Sequence, residues 1–169
     1  MFCLVYGFSN AGSVAWADHT NNGDIWTRPQ PIGPDYDFGA GANLFTVPGT
    51  GEQLLGIGQK CGVYWAVNPS TGKVVWQTPD PNDSPDTAPL SVANGVVYGG
   101  SISTTGTSMY GLDAATGAIL WSFNSAGSVT GGAAISAGSV YWGSGYCGSE
   151  CLATRNPLNN NKVYAFGLR

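Results

Sequence analysis

The sequence predicts an all-β fold for this chain of 169 residues, and its composition gives the first two reasons. Good helix formers are scarce, since only 9 % of the residues are charged, whereas Gly, Ser, Thr and Val abound. Turn formers are frequent, with 26 glycines and 10 prolines scattered along the chain. A hydrophobic share of 43 %, including six Trp, supplies a buried core and excludes intrinsic disorder.

The charge balance argues against a nucleic-acid partner, and the lengths of the apolar runs argue against a membrane-spanning helix. With a net charge of −4 and only six Lys and Arg, the chain lacks the basic surface that nucleic-acid binding requires. No apolar run approaches the roughly 18 residues of a membrane-spanning helix. The apolar segment 1–8 has no basic region before it and no small-residue cleavage site after it, so it is predicted to be a strand and not a signal peptide.

Two motifs recur along the chain, and they are the third reason for the fold prediction. Segments 65–76 and 110–121 align at a spacing of about 45 residues, each with a Thr-Gly pair and a terminal Trp. A degenerate third copy occupies residues 6–16. A second motif, an apolar strand with glycine, recurs at a similar spacing in segments 54–58, 97–101 and 140–144. Regular spacing of this kind indicates a repeat architecture.

Each repeat is predicted to hold four antiparallel strands. A short strand leads to an Asn/Asp-x-x-Thr-Gly turn and a returning strand that ends in Trp. After a loop come two further strands, joined by a tight turn at Asn94-Gly95 or Ala137-Gly138. Four strands in about 45 residues make the blade of a β-propeller, and blades must stack to bury their faces. We expect one partial propeller over residues 1–169, with approximate repeat units 1–58, 59–101, 102–145 and 146–169, the last being the closing strand of a further blade.

The strand–turn–strand motif resembles the repeat of the propellers of pyrroloquinoline quinone (PQQ) dehydrogenases. The runs 33–40, 58–76, 88–101 and 129–146 are most similar to the polyvinyl-alcohol-dehydrogenase-like branch of these quinoproteins. The resemblance implies an eight-bladed ring, which needs about 360 residues. We therefore expect an incomplete ring of about three to four blades, a fragment that self-associates or pairs with the missing blades.

The resemblance also implies cofactors and residues that contact them. The family oxidises alcohols with PQQ and Ca²⁺ and is secreted, in an extracellular or periplasmic setting. By similarity, Lys60 would contact the carbonyl oxygens of the quinone, and Asp24 and Trp26 would lie on the cofactor side. Asp35 and Asp37 are candidates for Ca²⁺ ligation. Without a cofactor, Lys60 is a solvated lysine at the rim and the two aspartates cap an exposed loop.

Other residues are predicted to have structural roles. By the same resemblance, Trp16, Trp76 and Trp121 dock between neighbouring blades, with Gly72 and Gly117 in the adjoining turns. The lone His19 is predicted to lie on a surface loop, and the sequence contains no catalytic triad, phosphate-binding loop or dinucleotide motif.

The four cysteines indicate an oxidising compartment. Cys147 and Cys151 are spaced to close a short disulfide loop, which leaves Cys3 and Cys61 as the other pair. Their spacing does not fit a zinc site or a Cys-x-x-Cys redox motif.

The sequence leaves three hypotheses for function. The first is a PQQ-dependent alcohol dehydrogenase, acting on a small alcohol or a polymer, although the chain lacks the Gly-Asp-Asn segment that would carry the catalytic aspartate of the family. The second is a non-catalytic propeller scaffold for protein binding. The third is a carbohydrate-binding surface of exposed aromatic residues.

Overall fold

The computed structural model describes residues 3–9, 11–21, 34–103, 107–145 and 160–167. These residues form thirteen strands and no helix, which confirms the all-β prediction. The strands are β1 Cys3–Phe8, β2 Val14–Asn21, β3 Asn43–Thr46, β4 Gln53–Gln59, β5 Val63–Val67, β6 Val74–Pro79, β7 Ser91–Ala93, β8 Val96–Gly100, β9 Met109–Asp113, β10 Ile119–Phe123, β11 Ala134–Ser136, β12 Ser139–Ser144 and β13 Lys162–Gly167. The described part of the chain holds no helix that is long and apolar enough to cross a membrane.

The strands form four antiparallel sheets. Strands β3 to β6 make one four-stranded sheet and β7 to β10 make another, each with its strands in chain order. A two-stranded sheet, β1–β2, precedes them, and a three-stranded sheet, β11–β12–β13, follows. Two complete blades flanked by parts of two others make a partial propeller, as predicted. The four repeat units stay a prediction, because a period does not say at which residue a blade begins.

In two of the sheets, β7–β10 and β11–β13, the first hairpin closes with a two-residue turn. Asn94 and Gly95 join β7 to β8 with φ angles of 51° and 78°, and Ala137 and Gly138 join β11 to β12 with φ angles of 47° and 75°. Positive φ at both positions matches the right-handed twist of the flanking strands. The turns lie where the sequence places them.

The third and fourth strands of each complete blade are joined by an Asx turn. Asn68 Oδ1 accepts hydrogen bonds from the amides of Ser70 and Thr71. In the next sheet, Asp113 Oδ1 accepts hydrogen bonds from the amides of Ala115 and Thr116. Gly72 and Gly117 end these turns with φ angles of 74° and 73°. We call this end of the sheets, with turns 68–72, 94–95, 113–117 and 137–138, the turn end.

Tryptophans join each sheet to the next at the turn end. Trp16 Nε1 donates to Pro69 O at 2.8 Å, and Trp76 Nε1 donates to Ala114 O at 3.0 Å. Each indole ring covers the glycine of the turn that it binds. Trp121 packs instead against the rings of Phe123 and Phe166, with centroid distances of 6.2 and 4.8 Å.

Two apolar cores lie between the sheets. The first is formed by the facing sides of the two four-stranded sheets, with Leu54 and Tyr64 on one side and Val97 and Leu112 on the other. The second lies between β7–β10 and β11–β13 and contains Met109, Val129, Ala133, Val140 and Trp142. The sheet β7–β10 therefore contributes to both cores.

Candidate functional site

Three loop segments meet at the opposite end of the sheets, which we call the loop end. They are segment 34–42 before β3, the turn 59–62 between β4 and β5, and segment 80–90 between β6 and β7. The Lys60 amide donates to Asp37 O at 3.1 Å, and the Asp80 amide donates to Gly62 O at 2.8 Å. These backbone hydrogen bonds place the side chains of all three segments in one region.

Lys60 is held at the loop end by two carboxylates. Its Nζ lies 3.2 and 3.0 Å from the two carboxylate oxygens of Asp35 and 2.6 Å from Asp37 Oδ1. Burial lowers the pKa of Lys60, but the hydrogen bonds and charges of Asp37 and Asp35 more than offset this, so its pKa is raised. Lys60 is therefore a fixed cation in a cluster whose net charge is −1.

Gln59 lies beside this cluster and is completely buried. Its Nε2 donates to Tyr36 O at 2.7 Å. Its Oε1 accepts from Thr20 Oγ1 at 3.1 Å, from Trp65 Nε1 at 2.9 Å and from the thiol of Cys61 at 3.3 Å. One amide thus connects β2, segment 34–42 and β5, and it fixes the turn that carries Lys60.

The described residues do not fit the Ca²⁺ site predicted at Asp35 and Asp37. Ca²⁺ takes six to eight oxygen ligands, and the ammonium group of Lys60 already occupies the space between these two carboxylates. In the described residues, no group of three or more His, Cys, Asp or Glu is arranged to hold a metal ion. The cluster is also a poor binding site for a negatively charged quinone, because two aspartates and one lysine leave it with a net negative charge.

Several predicted site residues fall outside the described part. Asp24, Trp26, Cys147 and Cys151 lie there, so their roles stay predictions. His19 lies in strand β2, paired with Leu4, so the prediction that it lies on a loop is wrong. The three recurring tryptophans lie at the turn end or between sheets, away from Lys60.

Sequence reasoning missed Gln59 and the buried pair Asp80 and Asp86. A signal for Gln59 is present, because it is a polar residue directly after the apolar run 54–58 and next to Lys60. For the aspartates the signal is a proline-rich loop that holds three acids in a chain with few charges. Nothing in the sequence alone says that these side chains are buried.

Comparison with known proteins identifies the architecture. A family model described as "Outer membrane protein assembly factor BamB" matches residues 4–165. No curated protein matched the chain.

Solved structures with the same fold come from proteins of different kinds. BamB from Moraxella catarrhalis is 21 % identical, with a TM-score of 0.56 over 84 % of this chain and 38 % of that one. Quinohemoprotein alcohol dehydrogenase from Comamonas testosteroni is 15 % identical, with a TM-score of 0.63 over 97 % and 32 %. BBS1N, solved in complex with ARL6DN, is 10 % identical, with a TM-score of 0.59 over 99 % and 48 %.

The chain spans about two fifths of BamB and about a third of the dehydrogenase. At these identities the solved structures establish the fold alone. The family match, in contrast, covers nearly the whole sequence and agrees with the four-stranded sheets. This chain therefore belongs to the family of PQQ-repeat propellers described by the outer membrane protein assembly factor BamB.

Proposed function

We propose that this chain is a non-catalytic propeller scaffold that binds a protein partner at its loop end. The observation that carries the proposal is the ion cluster of Lys60 with Asp35 and Asp37. The lysine that a quinone would need and the carboxylates that Ca²⁺ would need neutralise one another. What remains at the loop end is a surface held rigid by ion pairs and by the hydrogen bonds of Gln59.

The relatives support this reading by what they are called. BamB is named as an assembly factor, and BBS1N was solved in complex with another protein. A propeller presents loops of several blades on one surface, which suits contact with a protein chain. We place the scaffold in the cell envelope, as the name of the family suggests.

A photo-crosslinking experiment tests the scaffold. A benzophenone amino acid is placed at Ala42, which is exposed at the loop end, and in a matched variant at Lys73, which is exposed at the turn end. After irradiation in the cell envelope of the source organism, we expect one discrete crosslinked protein from Ala42 and none from Lys73. Equal capture at both positions, or capture at neither, would overturn the proposal.

The second candidate is a quinoprotein alcohol dehydrogenase, including one of the polyvinyl-alcohol-dehydrogenase-like branch. Lys60 favours it, because this cation lies at the loop end, where sequence resemblance expects the quinone. Bound PQQ would accept the electrons of the alcohol, and Lys60 would have to exchange its carboxylate partners for the quinone oxygens. No residue described here is assigned as the catalytic base.

A titration with PQQ at constant Ca²⁺ separates the two candidates. The scaffold predicts no saturable quenching of Trp fluorescence and no dye reduction with alcohols. Saturable quenching that Lys60→Met weakens at least tenfold, together with dye reduction, would replace the scaffold with the dehydrogenase. Ca²⁺ is present throughout, so that an effect of the metal alone is not counted as binding of the quinone.

A further inference from the structure

A cavity of about 500 Å³ lies between the sheets β7–β10 and β11–β13. Asn94 and Gly138 line it, so it reaches the turn end of both sheets. Its other walls are aliphatic and aromatic side chains from the two sheets, among them Tyr98, Trp121 and Phe166. Sites for small molecules typically have volumes of about 300–1,000 Å³. The cavity is therefore large enough for a small molecule, and it lies at the opposite end of the sheets from the ion cluster.

Comparison with the first interface between sheets shows why space remains here. Asn43 in β3 and Ser91 in β7 have equivalent places, because the side chain of each donates a hydrogen bond to the carbonyl oxygen of the residue that precedes the next sheet. Two residues further on, β3 holds Phe45 and β7 holds Ala93. Phe45 is 7 % exposed and packs into the first core, whereas Ala93 lines the cavity. The smaller side chain leaves open the space that a phenyl ring fills in the first interface.

Tyr98 forms a wall of this space and does not fill it. It stands at the place that Gly56 has in β4, since Gly56 pairs with Asn43 and Tyr98 pairs with Ser91. The ring of Tyr98 lies edge-on against the ring of Trp142, with a centroid distance of 6.3 Å. The tyrosine is therefore held by the second core, and the space over the neighbouring alanine stays open.

The length of a hairpin loop leaves the turn end of the cavity uncovered. Strands β3 and β4 are joined by the loop 47–52, whose Pro48 covers the next hairpin: a Cβ on Gly95 would lie 3.0 Å from Pro48 Cγ. Strands β7 and β8 are joined by only two residues, so this hairpin has no such loop to place over Gly138. A Cβ on Gly138 would accordingly meet no described atom within 4 Å.

Trp121 brings a hydrogen-bond donor to the lining. The indole N–H groups of Trp16 and Trp76 each donate to a backbone carbonyl of the next turn. Trp121 is half-buried with its ring against Phe166, and its N–H donates to no other described residue. A ligand with a carbonyl oxygen would take the place that a main-chain carbonyl has at the other two contacts.

We propose that this cavity binds an uncharged molecule of two or three rings that carries a carbonyl oxygen. Its lining, which comes from the described strands and turns, has no charged side chain that could pair with an ionic ligand. An apolar cavity of about 150 Å³ accepts one benzene ring, so this cavity has room for two or three. Its walls offer few polar groups, which favours flat apolar rings over a sugar. The bound rings would fill the second interface as Phe45 fills the first.

Fluorescence titration with prodan tests the site. Prodan is an uncharged naphthalene that carries a propionyl group, and its emission shifts to the blue in apolar surroundings. When the full chain is titrated into prodan, we expect a saturable blue shift with a dissociation constant of about 10–100 μM. An analogue with a propyl group in place of the propionyl group lacks only the ketone oxygen. It should displace prodan with an affinity about two- to tenfold weaker, because it offers Trp121 no acceptor.

Two variants with the same substitution locate the bound probe. Ala93→Phe introduces the side chain that the first interface has at this place, and it should weaken prodan binding about tenfold or more by filling the cavity. Ala134→Phe makes the same change at an exposed position of β11 that does not line the cavity, and it should bind prodan as the parent does. Circular dichroism checks that both variants fold.

Trp121→Phe tests the hydrogen bond without filling the cavity. It keeps an aromatic ring beside Phe166 and removes the N–H. We expect it to weaken prodan about two- to tenfold and to change the affinity of the propyl analogue by less than about twofold. An equal loss for both ligands would show that the indole does not bind the carbonyl, and it would overturn a carbonyl-bearing ligand.

The remaining results decide whether the cavity is a site at all. The proposal is overturned if prodan does not bind saturably, or if Ala93→Phe and Ala134→Phe affect binding equally. It is also overturned if the bound fraction of prodan falls at higher concentrations of the chain, because a second copy would then cover the cavity. None of these results involves the loop end, so failure here leaves the proposed scaffold function intact.

Discussion

Two turns of the same shape differ at one residue, Asn68 in one sheet and Asp113 in the next. In both turns a side-chain oxygen accepts two backbone hydrogen bonds and one from a threonine hydroxyl, at 3.2 Å from Thr71 and 2.9 Å from Thr116. Only the Asp113 turn carries a charge. The Thr116 hydroxyl lowers the pKa of Asp113, and the backbone hydrogen bonds of the turn lower it further.

This difference predicts that the stability contributed by the Asp113 turn depends on pH, whereas that of the Asn68 turn does not. Because the pKa of Asp113 is lower in the folded chain than in the unfolded chain, its stabilisation is complete above about pH 4 and is lost as the pH falls through the folded-state value. The effect is well under about 1 kcal/mol, since the turn is exposed to solvent. Asp113→Asn should remove it, as measured by urea unfolding at pH 7 and pH 3.

Asn68→Asp is the matched control in the opposite direction. It should add the same dependence on acid to a turn that has none. An unchanged difference between the two pH values in both variants would contradict the assignment.

At the scale of elements, the contact between a tryptophan and the next turn requires glycine for two separate reasons. Gly117 has a φ of 73°, a conformation that residues with a Cβ adopt at a cost. A Cβ there would also lie 2.6 Å from Trp76 Cε3 and 2.6 Å from Thr78 Oγ1, whose hydroxyl donates to Gly117 O at 2.7 Å. The sheets approach each other this closely only because the side chain is missing.

Comparison with Gly138 separates the cost of the positive φ from the cost of the contact with Trp76. It has nearly the same φ, 75°, but a Cβ there would meet nothing within 4 Å. Gly138→Ala should therefore lose about 1–2 kcal/mol from the backbone alone. Gly117→Ala should lose about 1–3 kcal/mol more, because the methyl group overpacks the indole ring. Urea unfolding of both variants measures the difference, and equal losses would mean that the contact with Trp76 adds nothing.

The elements also mark how far the sequence predicts this structure. The turns at Asn94-Gly95 and Ala137-Gly138 follow from local rules, because two adjacent residues determine them. The ion cluster does not, since Lys60 and Asp35 are 25 residues apart and each had a different predicted partner. Burial of Asp86 is equally non-local, as it depends on the space that Gly58 leaves. Local sequence patterns therefore predicted the strands and turns of the blades. The arrangement of the site depends on packing between segments that are distant in sequence, which these patterns do not show.

At the scale of the whole molecule, one sheet connects the two cores. Strands β8 and β9 lie in the interior of that sheet, and Tyr110 and Leu112 belong to the first core while Met109 belongs to the second. Strands β1 and β2, in contrast, pair only with each other within their sheet. Stability is therefore expected to be highest in the middle of the described chain and lowest in β1–β2.

Hydrogen exchange measures this gradient. The amides of β8 and β9 should exchange slowest, and those of β1 and β2 at least tenfold faster, because local opening of the two-stranded sheet breaks fewer contacts. Mass spectrometry of peptides from each sheet gives the rates. Equal protection in all four sheets would show that the chain opens only as a single unit.

The direction of the tryptophan contacts has a consequence for how such genes grow. Trp16 reaches forward to the turn at Pro69, and Trp76 reaches forward to the turn at Ala114, so the sheet β3–β6 holds both a turn that receives the preceding tryptophan and a tryptophan that binds the next turn. If a segment of about 45 residues is duplicated or lost in frame, the sheets that become neighbours meet through the same contact between a tryptophan and a turn. A propeller of this kind can therefore gain or lose a blade by recombination and keep the same contact between neighbouring sheets.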